Sequence, residues 1–448
     1  MKKFIKTMKN LFQYAASALT AYRWWQVAFF IIGVVSVLSI IGALFFAKGS
    51  SPKYHYTNGP VPAVDSLDFP INLAHTVNAG LEEGGSVEIL NNGDGFYPAL
   101  LDSFRDAKKT INFSVYIWED GEASDMILPV LLEKQKQGVQ VRVLLDGLGS
   151  KNAPDDLFEE LKASGAKVES YRTATFGKLT RYHRRNHRRS IVIDGKVGFT
   201  GGMAVSDSWL GNAQSPKHWR DMMFKVSGPM ARSLQDAFVD HWASSSGEIL
   251  LGEDIYPTAF EQPGSEIKFV HIASSPADDS QPMPKFLLLP MLAAKEKLYI
   301  ATPYFVGDTD LMEVLRHKAH NGVDVRLMLP GKNIDNKMVR WGAQNYYQDL
   351  LEAGVKVYEY QPTFLHSKFF VVDDKMSVIG SPNLNSRSRR LDEENAMAIF
   401  DAGLAQQLSD IFVKDLELSQ EQNYDQWKKR NPLIRFLQLT SRIISQQS

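Results

Sequence analysis

The sequence predicts an α/β protein: two tandem α/β/α domains on one repeated plan, preceded by a transmembrane helix. Three observations support this. The order of strand-like and helix-like segments recurs along the chain, a histidine-plus-cation motif closes each round, and an uncharged apolar run stands near the N-terminus. Strands alternating with amphipathic helices imply a mostly parallel sheet covered on both faces in each half. Recurrence over so long a period indicates a duplicated domain rather than a solenoid.

The chain has 448 residues, 44% hydrophobic and 23% charged, with a formal net charge of -1. That composition belongs to a folded protein and excludes a generally basic nucleic-acid coat. Residues 1–26 are the exception, with Lys2, Lys3, Lys6, Lys9 and Arg23 and no acid. After them, residues 27–47 (VAFFIIGVVSVLSIIGALFFA) form an unbroken apolar run of the length needed to cross a bilayer core about 30 Å thick. Trp24 and Trp25 suit the interfacial belt, and the basic segment places the N-terminus in the cytoplasm and the bulk of the chain on the extracytoplasmic side of the cell (inner) membrane. A cleaved signal peptide is the rival reading. Its apolar region normally spans about 7–15 residues and ends in small residues, whereas Phe45-Phe46-Ala47-Lys48 makes a poor cleavage site. The chain contains no cysteine, which excludes disulfides and thiolate metal sites and fits either side of a membrane.

Residues 48–85 carry Gly, Pro, Ser and Asn with little periodicity and read as a tether. The first half, 86–255, runs through TINFSVYIW, VQVRVLLD and LKASGAKVESY to NHRRSIVIDG. The second, 256–430, runs through KEKLYIATPYF, VDVRLMLP and LLEAGVKVYEY to LHSKFFVVDD. Gly and Pro in GEDIYPTAFEQPGSE break the pattern between them. The tail, 431–448, sets Leu433, Phe436, Leu437, Ile443 and Ile444 beside Arg435 and Arg442. It fits an interfacial membrane helix and a closing helix packed on the domain equally well.

The paired motifs are His187, Arg189 and Asp194 in the first half and His366, Lys368 and Asp373 in the second. Histidine and cation lie two residues apart, so an extended backbone projects both to one face. The aspartate falls beyond the strand, in a turn. A lone histidine among apolar residues is commonly a core residue, but two in the same place of a repeat, each followed by a glycine-containing turn (Gly201-Gly202-Met203 and Gly380-Ser381-Pro382-Asn383), point to one site built from two halves. A nucleophile or acid beside a fixed positive charge suits chemistry on a phosphodiester.

With HSKFFVVD and IGSPNLNSRS, the segments YIWEDG, GVQVRVLLDGLGS, HRRSIVIDG, HWRDMMFKVSGP and ATPYFVGD resemble the phospholipase D superfamily, and within it the bacterial cardiolipin synthases, over about 86–430. The resemblance implies halves related by pseudo-two-fold symmetry and a phosphohistidine intermediate, with His187 as nucleophile and His366 as acid/base or the reverse. Lys368 and Arg189 would clamp phosphate oxygens, Asn383 would add a neutral donor, and Asp221 and Glu394 would each orient a histidine across the interface. Asp194 and Asp373 complete the catalytic motifs, with a turn and scaffold role the stronger reading. The chemistry requires neither metal nor cofactor. Two positions depart from the family: Arg189 replaces a lysine, and Ala204 stands where asparagine is expected. Arginine keeps the charge but is larger and forked.

Lys178, Arg181, His183, Arg184, Arg185, Arg188 and Arg189 form a basic cluster, with Arg184 and Arg185 as candidate binders of anionic lipid head groups. A solvated loop is the plain alternative, and nucleic acid is disfavoured because Tyr182 is the only aromatic residue within it. Tyr116, Trp118, Trp219, Tyr304 and Phe305 match family positions near the cleft, with Tyr116 and Trp118 as candidate substrate contacts. The expected activity is phosphatidyl transfer between anionic phospholipids such as phosphatidylglycerol. The alternatives are hydrolysis of phospholipid or nucleic acid, and a lipid-binding homologue with an impaired first half-site. No oligomeric state is predicted.

Overall fold

The computed structural model describes residues 24–46, 61–171, 185–258, 266–275 and 281–430. Residues 1–57 and 58–448 form separate units. In the first, Trp24–Phe46 is one helix of 23 residues. Among the described residues no helix is long and apolar enough to cross a membrane, the described side chains of this one being confined to 26–37. The expectation over 27–47 is thus met as a helix but not as a span. The basic loop to Arg184, the tail 431–448 and residues 259–265 of the boundary segment lie outside the described residues.

The second unit holds two sheets. The first has seven strands in the order β2 (Val87–Asn91), β8 (Met222–Ser227), β7 (Val197–Gly201), β6 (Ser190–Ile193), β3 (Thr110–Val115), β4 (Gln140–Asp146) and β5 (Lys167–Tyr171). The second repeats that order as β9 (Lys268–Ser274), β15 (Glu394–Phe400), β14 (Met376–Gly380), β13 (Phe369–Val372), β10 (Lys297–Ala301), β11 (Asp324–Pro330) and β12 (Lys356–Tyr360). It adds β1 (Leu81–Glu83) and β16 (Ser419–Glu421) at its edges. The duplication read from the sequence is therefore exact in strand order.

The expectation of a mostly parallel sheet is corrected. Only β3–β4–β5 and β10–β11–β12 pair in parallel, and the other strands are antiparallel. The cause is local: Asp194-Gly195 and Asp373-Asp374 take positive φ and turn each histidine strand straight back on itself as a hairpin. The tether is also corrected. From 61 the chain is folded, and helix Asp68–Thr76 buries Phe69, Leu73 and Ala74 with Val64 and Val77 in the core of the second half. Strand β1 then pairs with β9.

Helices Asn92–Asp106 and Glu122–Lys136 cover one face of the first sheet, with Phe96, Leu100, Phe104, Ile127 and Leu131 in its core. Trp118 belongs to that core: it is fully buried, lies 4.9 Å from Phe113 and 5.0 Å from Phe158, and donates its indole N–H to Ser124 at 2.8 Å. It is not a substrate contact. A third core joins the halves, packing Met222, Phe224 and Leu234 with Phe269, Phe369, Met397 and Phe412. Burying such faces is the main favourable term for holding the halves together.

Asp194 and Asp373 prove to be scaffold residues. Asp194 accepts the backbone N–H groups of Lys108, Lys109 and Thr110 at 2.7–2.8 Å, at the start of β3. Asp373 accepts those of Lys295, Glu296 and Lys297 at 2.8–2.9 Å, at the start of β10. Each sits at the far end of its strand from the histidine, about 20 Å away along an extended chain, so neither is a direct acid/base catalyst. Asp373→Ala strands three donors and is expected to lower the unfolding free energy by about 2–4 kcal/mol. An unchanged urea midpoint would refute that role.

Candidate active site

Each histidine lies just before its hairpin, where the chain crosses to the other half. His187 donates its backbone N–H to Glu393 O at 2.9 Å, while Glu393 donates to Arg185 O at 2.9 Å. The second half repeats the arrangement: His366 donates to Arg220 O at 2.7 Å, and Arg220 to Phe364 O at 2.9 Å. In both cases the next residue along the clamping segment, Glu394 or Asp221, supplies a carboxylate. His187 Nδ1 lies 2.9 Å from Glu394 Oε1, and His366 Nδ1 lies 2.6 Å from Asp221 Oδ2. With each Nδ1–H given to a carboxylate, each Nε2 is left for chemistry.

The cations are also matched. Arg189 donates to His187 O at 2.6 Å and Lys368 to His366 O at 2.8 Å. Lys368 Nζ lies 2.9 Å from His366 Nδ1 and 3.2 Å from its Nε2, which puts a positive charge against the imidazole ring. Arg189 and Lys368 are 1% and 4% exposed, so each faces the other charges of the site with little screening.

The carboxylates are held differently. Ser381 donates its hydroxyl to Glu394, and Trp209 donates its indole N–H to Asp221 at 2.8 Å. A Cβ at Gly202, the counterpart of Ser381, would collide with the Asp221 carboxylate, so glycine is required there. Ala204 is fully buried and brings no amide to the first half-site. Asn383 is buried, and its Oδ1 has no hydrogen-bond partner among the described residues.

Burial governs the protonation states. It drives His187 well below the usual imidazole range, helped by the Arg189 charge. His366 is lowered to about 3 by burial and Lys368, against the pull of Asp221. Burial raises Glu394 to about 7. It acts on Asp221 in the same direction, but the charges of His366 and Lys368 and the hydrogen bond from Met222 leave that carboxyl below its usual value. Asp221 is thus a firm anion at neutral pH, whereas Glu394 is partly protonated.

Tyr116 lies at the site, its ring 5.1 Å from that of His187 and under the guanidinium groups of Arg185 at 5.8 Å and Arg189 at 5.9 Å. His366 is walled by Trp209, Trp219 and Phe364, each at 5.4 Å, and by Tyr304 at 6.3 Å. Phe305 is fully buried and belongs to the core. Sequence reasoning missed Trp209, Ser381, Phe364, Arg220 and Glu393. Arg220 and Glu393 could have been found as the residues adjoining the paired carboxylates. Among the described residues no cluster of three or more His, Asp or Glu is arranged to hold a metal.

Two histidines interlocked across a duplicated α/β fold, each with a cation at its side, define an enzyme of phosphodiester chemistry. The family model described as "Cardiolipin synthase, PLD-like domain" matches residues 100–242 and 288–416, and the chain belongs to that family, within the phospholipase D superfamily. It is 35% identical to Cardiolipin synthase 2 of Bacillus anthracis over 358 residues, covering 80% of this chain and 69% of that one. It is 34% identical to a cardiolipin synthase of Alkalihalophilus pseudofirmus over 375 residues, covering 83% and 74%. Among solved structures, a phosphatidylserine synthase from Haemophilus influenzae matches with a TM-score of 0.66 at 16% identity, covering 84% of this chain and 98% of that one, which shows the shared fold.

Because burial holds the Lys368 ammonium down to about 7, the free site loses this charge as the pH rises through neutrality. Catalytic efficiency toward an anionic lipid is expected to decline above about pH 7, since kcat/KM reports the free enzyme. Lys368→Arg fixes the charge and should remove that limb from the pH profile. A decline that stays near neutrality in the arginine variant would assign the titration to another group.

Proposed function

We propose that this protein is a membrane-anchored phosphatidyltransferase of the cardiolipin synthase type, acting through a phosphohistidine. The observation that carries the reading is the pairing of each imidazole with a carboxylate of the opposite half, which leaves two Nε2 atoms to share one phosphodiester. Its relatives are named cardiolipin synthases, and from that product we take phospholipids such as phosphatidylglycerol as the substrate class. The uncharged apolar run over 27–47, behind a basic segment, is the sequence feature that favours a single-pass anchor with the catalytic unit outside the cytoplasm.

In the first step Nε2 of neutral His187 attacks phosphorus. The P–O bond to the head-group glycerol breaks, and the glycerol oxygen takes a proton from His366. The phosphatidyl group is then bonded to His187 nitrogen. In the second step His366 accepts the proton of an incoming hydroxyl, whose oxygen attacks phosphorus as the N–P bond breaks. The carboxylates support this division of roles. The firm anion Asp221 favours an imidazolium at His366, while the partly protonated Glu394 leaves His187 neutral. The anionic phosphodiester, once bound, raises the proton affinity of His366 from its value in the empty site.

Arg189 and Lys368 stabilise charge on the phosphoryl oxygens, and arginine serves in the first half as lysine does in the second. Arg189→Ala is expected to lower kcat about 100-fold or more, the usual cost of an oxyanion donor, with Arg189→Lys retaining most activity. Full turnover by the alanine variant would sink the role.

Purified protein incubated with labelled phosphatidylglycerol is expected to give cardiolipin and glycerol. Phosphatidic acid alone would indicate a hydrolase, and no turnover an impaired homologue. His366→Ala, quenched after brief exposure to phosphorus-labelled lipid, should retain label on His187. Label on His366 in the converse variant, with none on His187, would reverse the roles.

A further inference from the structure

Lys368 and Arg189 suffice for the phosphate at the two imidazoles. Other arginines near the cleft are neutralised by acids: Arg387 grips Asp392 at 2.7 and 3.2 Å, Arg390 reaches Asp308 at 3.3 Å, and Arg188 pairs with Asp240 at 3.0 Å. Arg185 forms no ion pair among the described residues, and its Nε is buried without a hydrogen-bond partner. Its guanidinium lies 5.8 Å over the Tyr116 ring, the same ring that meets His187 and Arg189. Its backbone is fixed by the hydrogen bond from Glu393.

The acids whose charge reaches this neighbourhood make their hydrogen bonds elsewhere, and Asp146 meets Arg185 through charge alone. Asp146 accepts the backbone N–H groups of Leu148 and Gly149 at 2.9 Å and of Asn186 at 2.8 Å, and Asp392 is held by Arg387. The Arg185 charge is felt by Tyr116 and His187 of one half and by Tyr304 of the other.

We propose that Arg185 binds the non-reacting phosphate of the second phospholipid, the acceptor, and thereby selects a phosphatidyl alcohol over water or a free alcohol. This rests on the transfer reaction above and names the acceptor of that same site. In phosphatidylglycerol the attacking hydroxyl and the lipid's own phosphodiester are joined by the three carbons of glycerol. When that hydroxyl reaches the phosphohistidine, a second negative charge therefore comes to rest close beside the first. Arg189 and Lys368 are occupied at that moment by the reacting phosphoryl oxygens. A planar guanidinium held over a phenol ring offers a fork to the second phosphate. Water and simple alcohols bring no charge for it to bind.

The test is a competition. Full-length protein in vesicles of labelled phosphatidylglycerol is supplied with butanol, and cardiolipin and phosphatidylbutanol are measured together. Both acceptors draw on one enzyme-bound intermediate, so the product ratio is independent of the donor step and of the fraction of protein folded. Arg185→Gln is expected to lower the ratio of cardiolipin to phosphatidylbutanol about tenfold or more, and Arg185→Lys to give an intermediate ratio. An unchanged ratio overturns the proposal, whether or not total turnover falls. Phosphatidylbutanol without cardiolipin in the unaltered protein overturns the lipid acceptor, and absence of both products overturns the transfer reaction beneath it.

Discussion

Everything in this molecule turns on one reciprocal exchange of hydrogen bonds between its halves. The segment Glu393-Glu394 clamps the backbone around His187 and feeds a carboxylate to its ring, and Arg220-Asp221 does the same for His366. The clamp is backbone to backbone, so it fixes the position of each imidazole before any side chain is chosen. A shift of one half against the other would break both half-sites at once. The apolar layer between the sheets, from Phe224 to Phe412, sets that relative position, and a buried carboxylate left without its imidazole would strongly disfavour any slip.

Burial then does most of the electrostatic tuning. It pushes both histidines toward their neutral forms, lowers Lys368 and raises Glu394, all by penalising charge. What separates the half-sites is what each carboxylate leans on. Asp221 has an indole N–H, a backbone N–H and a short side chain pressed against Gly202, while Glu394 has the hydroxyl of Ser381. The two half-sites thus differ chemically before substrate arrives.

Much of this was legible in the sequence, because local patterns carry it. TINFSVYIW, VQVRVLLD and their later counterparts read as strands, and the cadence of the two histidine motifs announced the duplication. The hairpins at Asp194-Gly195 and Asp373-Asp374 carried a readable turn signal, yet the alternation of strands and helices pointed to parallel pairing. The helix at 68–76 was hidden by its brevity and by the Gly and Pro around it, and its apolar face makes sense only against the distant second half. Trp118 and Trp209 show the limit most clearly. Both are buried tryptophans, but one packs on Phe113 and the other bonds Asp221, a difference set by neighbours far apart in sequence.

The covalent joining of the halves has a further meaning. In a symmetric dimer of a single such domain, every substitution appears twice, and a change that suits one side of the substrate is imposed on the other. Here Arg189 answers Lys368, Ala204 answers Asn383 and Gly202 answers Ser381, each without a twin. Fusion releases the copies from that mirror constraint, so that each half-site can vary without imposing the same change on the other.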